Sequence, residues 1–280
     1  SGCSGTVGSE VSPYGLQINA QYPKADFPAI MEHISGACPA WRNATVEIRV
    51  GIAMEILDRL NKRSFEMAFA VMHTTGQGFM MAFQAGGPHA QDRGLEAIAY
   101  AYKAMKECPT EATWKKQVGR DDFVTLSKTF KIVPRGIGLV IGCSTFPTWN
   151  TYPGLFASLV TGNAVIVKPH PGAILPLAIT VDICQSVLVE AGFNANLVTL
   201  VADTPDSPVT ACLVENDNIN IIDYTGGSAY GDWVEANAGN AVVYSEKAGV
   251  NSIIIDSVEQ MKAVSGNLAF SLCLYSGQMC

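Results

Sequence analysis

The sequence predicts an α/β protein: a Rossmann-like, doubly wound parallel sheet, with N-terminal helices and a β-hairpin arm ahead of it. Three observations carry this. From Gly136 onward, short β-branched apolar runs alternate with helical stretches, the pattern of strands buried on both faces and joined by right-handed crossovers. Residues 1 to about 115 instead place apolar side chains at helical spacing. Between the two regions, residues 121–133 carry strand-forming runs, closed by Pro134-Arg135-Gly136.

In chain order, Ala44 to Arg63 sets Val46, Arg49, Val50, Ala53, Ile56, Leu57 and Leu60 on one helical face. Ser64 reads as the N-cap of the next helix, and Thr75-Gly76 as its stop. Gly86-Gly87-Pro88 breaks the chain, and Ala90 to Lys106 resumes as helix. Phe123–Leu126 and Thr129–Val133 read as the two strands of the hairpin. The strands of the main sheet are expected at Ile137–Ile141, Ala164–Val167, Leu197–Val201, Ile219–Tyr224 and Ala241–Ser245. Helices are expected at Tyr152–Thr161, Ile174–Ala191, Ser207–Glu215 and Ala229–Asn237. A further strand at Asn251–Asp256 and an amphipathic helix from Val258 to about Leu274 follow.

Composition narrows the function. The 280 residues hold 18 Lys plus Arg against 25 Asp plus Glu, a net charge of −7, with no basic cluster. Nucleic acid and anionic membrane are therefore not expected as partners. No apolar run is long enough to span a bilayer, and the opening residues carry no signal-peptide pattern. The eight cysteines include no Cys-x-x-Cys pair, and the four histidines lack ligand spacing. A disulfide framework or a metal site is not expected, and the thiols point to a reducing cytoplasm.

Several motifs could carry chemistry. Gly136-Ile-Gly138-Leu-Val-Ile-Gly142 imitates a dinucleotide fingerprint, but it precedes a strand instead of following one, so no helix N-terminus meets a pyrophosphate there. Lys168-Pro169 ends a strand, where open α/β sheets bind ligands. Its ammonium can donate to ribose hydroxyls or a phosphate, although a solvated strand-end lysine looks the same. Tyr224-Thr225-Gly226-Gly227-Ser228 lies between strand and helix, where glycines let backbone N–H groups approach an anion. Glu246, at a strand end, has the chemistry of a general base. Gly277-Gln278-Met279-Cys280 closes the sequence with a glycine near a cysteine, so that N–H groups could stabilise a thiolate and then an oxyanion.

Taken together and in this order, these motifs resemble the aldehyde dehydrogenase superfamily over essentially the whole chain. Gly277-Gln278-Met279-Cys280 matches the family's Gly-Gln-x-Cys, and Glu246 precedes Cys280 by the expected 34 residues. Thr161-Gly162-Asn163, Lys168-Pro169 and Thr225-Gly226 match the family's Thr-Gly-Asn, Lys-Pro and Thr-Gly-Ser. Trp41, Arg49 and Thr75-Gly76 fit its N-terminal helices. Gly142 to Pro153 and Lys168-Pro-His-Pro171 are similar to the phenylacetate-degradation branch, the PaaN-type ring-opening aldehyde dehydrogenases.

The resemblance implies covalent catalysis: Cys280 as nucleophile, Glu246 as the base that activates water, and an oxyanion held by the Cys280 N–H with Thr145 or Asn150 as second donor. Thr145 occupies the register of the family's oxyanion asparagine; Asn150 lies five residues later. Retention of Glu246 points to a free acid as product, since CoA-acylating relatives generally lack that base. The aldehyde could still carry CoA elsewhere. Lys168, Pro169, His170, Thr225, Gly226 and Gly227 are the implied cofactor contacts. Gly227 departs from the family's serine. The family often places a glutamate after Lys-Pro, against the adenosine 2′-hydroxyl; here Pro171 stands there, which removes repulsion against a 2′-phosphate, so NADP is at least as acceptable as NAD.

The resemblance also implies a division of the chain. Residues 1–120 are the helical part of the cofactor-binding domain, 121–135 an oligomerisation arm, and 136–245 the dinucleotide-binding core. Residues 246–280 begin a catalytic domain that is mostly absent. A homodimer or tetramer is expected at full length, with little turnover from these residues alone. The alternative is a non-catalytic nucleotide-binding module, or a scaffold with a degenerate site.

Overall fold

A computed structural model describes residues 3–8, 10–249 and 252–278. Cys280, the expected nucleophile, lies outside the described residues. The chain opens with an antiparallel ribbon of β1 (Cys3–Val7) and β2 (Tyr22–Ala25). Five helices follow: α1 (Phe27–Asn43), α2 (Val46–Lys62), α3 (Ser64–Thr75), α4 (Phe79–Gly86) and α5 (Pro88–Glu107). Thr45 caps α2 by accepting the Ile48 amide at 3.2 Å. Ser64 is not a cap: it is the first residue of α3, and its hydroxyl donates back to the Asn61 carbonyl at 2.8 Å. Gly76 closes α3 in the left-handed region at φ 77°, a conformation that favours glycine.

The arm is an antiparallel hairpin of β3 (Glu111–Gln117) and β4 (Phe123–Thr129). The expected pairing of 123–126 with 129–133 is thereby corrected. Both strands are exposed along their whole length, so no buried face stamps an alternating pattern on Glu111–Gln117, and the charged first strand escapes sequence reading.

The main sheet contains β5 (Ile137–Ile141), β6 (Ala164–Lys168), β7 (Val198–Leu200), β8 (Ile219–Gly226) and β9 (Val242–Lys247). All its pairings are parallel, in the order β7-β6-β5-β8-β9. Every residue of β5 and β6 is buried, as their continuous apolar composition requires. The fingerprint-like glycines at 136 and 138 lead into and lie within β5, not in a phosphate loop. The connecting helices are α6 (Pro147–Val160), α7 (Leu175–Glu190), α8 (Thr210–Val214) and α9 (Ser228–Asn237). Helix α6 starts five residues before its expected start at Tyr152, because Pro147 suits a first helical turn.

Helix α6 is the hub of the core. The N-terminal helices hold its C-terminal end: Trp41 Nε1 donates to Leu159 O at 2.9 Å, and the buried Arg49 Nε donates to Val160 O at 2.8 Å. These carbonyls have no partner within the helix, and a cation there complements the helix dipole. Helix α5 lies so close to α6 that a Cβ on Gly94 would fall 2.9 Å from the Phe156 ring. Thr161-Gly162-Asn163 makes the turn into β6. Gly162 takes φ 95°, and the Asn163 side chain accepts the Gly136 amide at 2.9 Å while donating to Ser158 O and Thr161 Oγ1.

After β9 the chain leaves the sheet. Residues 252–256 form no strand, a correction to the expected one: Ile253, Ile254 and Ile255 are exposed with no neighbouring strand to complete a ladder. Helix α10 (Met261–Cys273) has no buried residue.

Candidate active site

The parallel sheet reverses its winding between β5 and β8, and the carboxyl ends of those strands open a crevice there. A cavity of about 930 Å³ occupies it. The segments that line it come from four strand ends: Ile141–Phe146 at the end of β5, Lys168–Pro171 at the end of β6, Tyr224–Gly227 at the end of β8, and Glu246–Gly249 at the end of β9. Asn150, Thr210, Tyr230, Gly277 and Gln278 complete much of the wall. Of the ten expected site residues, the nine other than Cys280, which lies outside the described residues, therefore share one cavity: Thr145, Asn150, Lys168, Pro169, His170, Thr225, Gly226, Gly227 and Glu246.

At one end stands Lys168. Its ammonium donates to Pro169 O at 2.6 Å and lies 2.7 Å from Asp203 Oδ1. Burial pulls the Lys168 pKa down, and the Asp203 carboxylate pulls it back up. His170 accepts the Gly172 amide through Nδ1 at 3.1 Å. Partial burial, and then the Lys168 ammonium, hold its imidazole below the usual range.

In the middle lies the turn between β8 and α9. Tyr224 Oη donates to Gly227 O at 2.8 Å. A Cβ on Gly226 would fall 2.5 Å from that oxygen, which explains a glycine there, whereas at Gly227 nothing lies within 4 Å. The first turn of α9 has no side-chain cap, so its N–H groups are available to an anion.

At the other end, Asn150 on α6 joins two chemical groups. Its Oδ1 accepts from the buried Cys143 thiol at 3.4 Å, and its Nδ2 donates to Glu246 Oε2 at 3.3 Å. Glu246 projects from β9, opposite Thr225 in the ladder. Thr145 Oγ1 donates toward Cys143 Sγ at 3.5 Å, and Thr145 O accepts from the fully buried Gln77 side chain at 2.7 Å. The C-terminal segment closes over this end: Tyr275 packs edge-on against Phe146, and Gln278 Nε2 donates to Thr75 O at 2.9 Å. The expected stop at Thr75-Gly76 is thus also a docking point for the segment that leads to Cys280.

A second cavity of about 200 Å³ adjoins the first on the far side of Glu246, lined also by Arg93, Asn150, Asp223 and Tyr244. The Asp223 carboxyl is pushed up to about 7, first by burial and then by the Glu246 charge.

Sequence reasoning missed Gln77, Cys143, Asp203 and Asp223 as parts of the site. Only Cys143 carried a local signal, by lying in the distinctive Gly142–Pro153 stretch. Among the described residues no group of three or more His, Cys, Asp or Glu could hold a metal ion, and no helix is long and apolar enough to cross a membrane. Cys38, Cys108, Cys143, Cys184, Cys212 and Cys273 are free thiols.

Comparison with known proteins shows the family and the fold. Residues 9–280 match the profile of the aldehyde dehydrogenase family. The chain is 26% identical over 243 residues to an N-succinylglutamate 5-semialdehyde dehydrogenase of Burkholderia multivorans, covering 86% of this chain and 46% of that protein. With the protein of the same description from Burkholderia ambifaria it is 26% identical over 259 residues, covering 91% of this chain and 50% of that one. The crystal structure of an NAD-dependent aldehyde dehydrogenase from Burkholderia multivorans superposes with a TM-score of 0.95 at 56% identity, over 98% of this chain and 50% of the other. An NADP-dependent glyceraldehyde-3-phosphate dehydrogenase from Bacillus halodurans, complexed with NADP, superposes with a TM-score of 0.76 at 21% identity, over 97% and 56% of the two chains, a likeness of fold alone. The chain spans about half the length of these relatives.

Proposed function

The chain belongs to the aldehyde dehydrogenase family, and from that premise we propose that it is the cofactor-binding portion of an NAD(P)-dependent enzyme that oxidises an aldehyde to a carboxylic acid. One observation carries the reading: the nine expected site residues with described positions line a single cavity at the carboxyl ends of the parallel strands. In this reading residues 136–245 are the dinucleotide-binding core, and 246–280 begin the catalytic domain.

A dinucleotide fits the residues present. Lys168 keeps donor capacity for a ribose hydroxyl, Gly227 leaves open space for a phosphate, and the first-turn N–H groups of α9 have no side-chain cap. Cys280 attacks the aldehyde carbon through its thiolate, forming a C–S bond and an oxyanion. The Cys280 amide and the side chain of Thr145 or Asn150 hold that oxyanion. NAD(P), when bound, would supply the hydride acceptor for oxidation of this adduct to the thioester. Glu246, oriented by Asn150, then takes a proton from water. The resulting hydroxide adds to the thioester carbonyl, and the C–S bond breaks to release acid and Cys280 thiolate.

The substrate class in this proposal is a semialdehyde. The motifs at 142–153 and 168–171 favour the ring-opened semialdehyde of phenylacetate breakdown, free or CoA-linked. The curated relatives from Burkholderia, whose names give a different semialdehyde, support the broader class.

Calorimetric titration with NAD and NADP tests the nucleotide half of the proposal on this chain directly. Saturable binding that weakens about tenfold or more in Lys168→Ala is expected. A folded chain that binds neither dinucleotide would overturn it and favour the scaffold reading.

A further inference from the structure

We propose that Asp203 selects NAD over NADP by neutralising Lys168 from behind. The inference rests on the reading above that Lys168 meets the adenosine ribose. Asp203 follows β7, the strand beside β6, and its side chain is only 3% exposed, as is that of Lys168. It is rigidly held: Oδ2 accepts the Val209 amide at 3.0 Å, and Oδ1 lies 2.7 Å from Lys168 Nζ. The ammonium donates to Pro169 O at 2.6 Å and pairs with Oδ1 by charge, without a hydrogen bond to it, so it keeps donor capacity for a ligand in the cavity.

This arrangement makes the adenosine end a hydrogen-bond donor without net positive charge. Among the described residues lining the cavity the basic groups are Lys168, His170 and Lys247, with no arginine. Lys247 is engaged by Asp232 at 2.7 Å and Glu235 at 2.8 Å. His170 is held toward its neutral form by partial burial and by Lys168. A ribose 2′-hydroxyl needs only a donor and an acceptor. A 2′-phosphate, with a charge of about −1.5 to −2, needs an uncompensated cation. At Lys168 it would find a buried carboxylate 2.7 Å behind the ammonium, where low dielectric strengthens the repulsion. The carboxylate that the sequence lacks at Pro171 is thus returned to the same lysine by the neighbouring strand.

The test titrates the 280-residue chain with NAD, NADP, 5′-AMP and 2′,5′-ADP. We expect NAD and 5′-AMP to bind about tenfold or more tightly than their 2′-phosphorylated counterparts. Asp203→Asn can keep the Val209 contact through its amide oxygen while freeing the Lys168 charge. It should raise affinity for NADP and 2′,5′-ADP about tenfold and change NAD less. Asp203→Glu, which keeps the charge, should keep the preference. Wild-type binding of the 2′-phosphorylated nucleotides as tight as the others overturns the proposal, and this ratio decides even if Asp203→Asn does not fold. An unchanged ratio in a folded Asp203→Asn also overturns it. Binding of no nucleotide removes the underlying site reading together with it.

Discussion

Asp223 illustrates how a single side chain can carry a cost at neutral pH. It stands on β8 under helix α6, so close that a Cβ on Gly154 would fall 2.6 Å from its Oδ2. It shares the smaller cavity with Glu246 and Arg93, and its carboxyl is pushed up to about 7 by burial and by the Glu246 charge. A folded pKa above the unfolded one means that the folded chain binds the proton more tightly. The associated stability is fully present below about pH 4 and is lost as pH rises through about 7. Asp223→Asn should therefore stabilise the chain at pH 8, by at most about 4 kcal/mol, and by little at pH 4. Urea unfolding of both proteins across this range reads the difference directly. A difference that does not grow with pH would show that Asp223 ionises as it does in the unfolded chain. Nothing in the local sequence Ile222-Asp223-Tyr224 distinguishes this acid, because its environment comes from α6 and β9.

At the scale of elements, the N-terminal helices act as a clamp on the end of α6. Trp41 and Arg49 come from α1 and α2, yet both donate to the last carbonyls of α6, at Leu159 and Val160. Arg49 also donates to Ala44 O at 2.6 Å. Leu159 O keeps the Gly162 amide at 3.0 Å when Trp41 is removed, so Trp41→Phe should cost only the lost bond, about 0.5–1.5 kcal/mol in unfolding free energy. Arg49→Met should cost about 2–4 kcal/mol, since Val160 O and Ala44 O lose their partner. Because both lean on the same turn, the double variant should depart from the sum. Additive losses in denaturant midpoints would mean that the two contacts are independent. Helices α2 and α5 were legible because a stripe of apolar residues at helical spacing is what burying one face requires. The hairpin was not, because neither of its faces is buried in this chain. Nor was the early start of α6, which depends on Pro147 opening a helical turn after Phe146.

The molecule has a dense centre and several exposed apolar surfaces, two of which lie on the hairpin and on the segment after β9. Trp114, Phe123, Val124 and Leu126 are exposed on the hairpin. Ile253, Ile254, Met261, Phe270 and Leu272 are exposed on the segment after β9. Patches of this kind favour association. Light scattering of the chain should show a mass that rises with concentration between about 1 and 100 µM, and Ile254→Glu with Phe270→Glu should lower it. A constant monomer mass in the unmodified chain would show that these surfaces do not drive self-association.

The succession of strands and helices from Gly136 onward, and the candidate residues at the strand ends, were legible in the sequence alone; the order of strands in the sheet came from the tertiary structure. Strands buried on both faces must be continuously apolar, and turns at a strand end need particular residues, so both leave local marks. The tertiary structure alone decided which groups meet within the crevice. Asn150 joins Cys143 to Glu246, Gln77 holds the Thr145 backbone, and Asp203 backs Lys168. These partners lie on different elements, and a pairwise electrostatic contact depends on distance in space, not on separation along the chain.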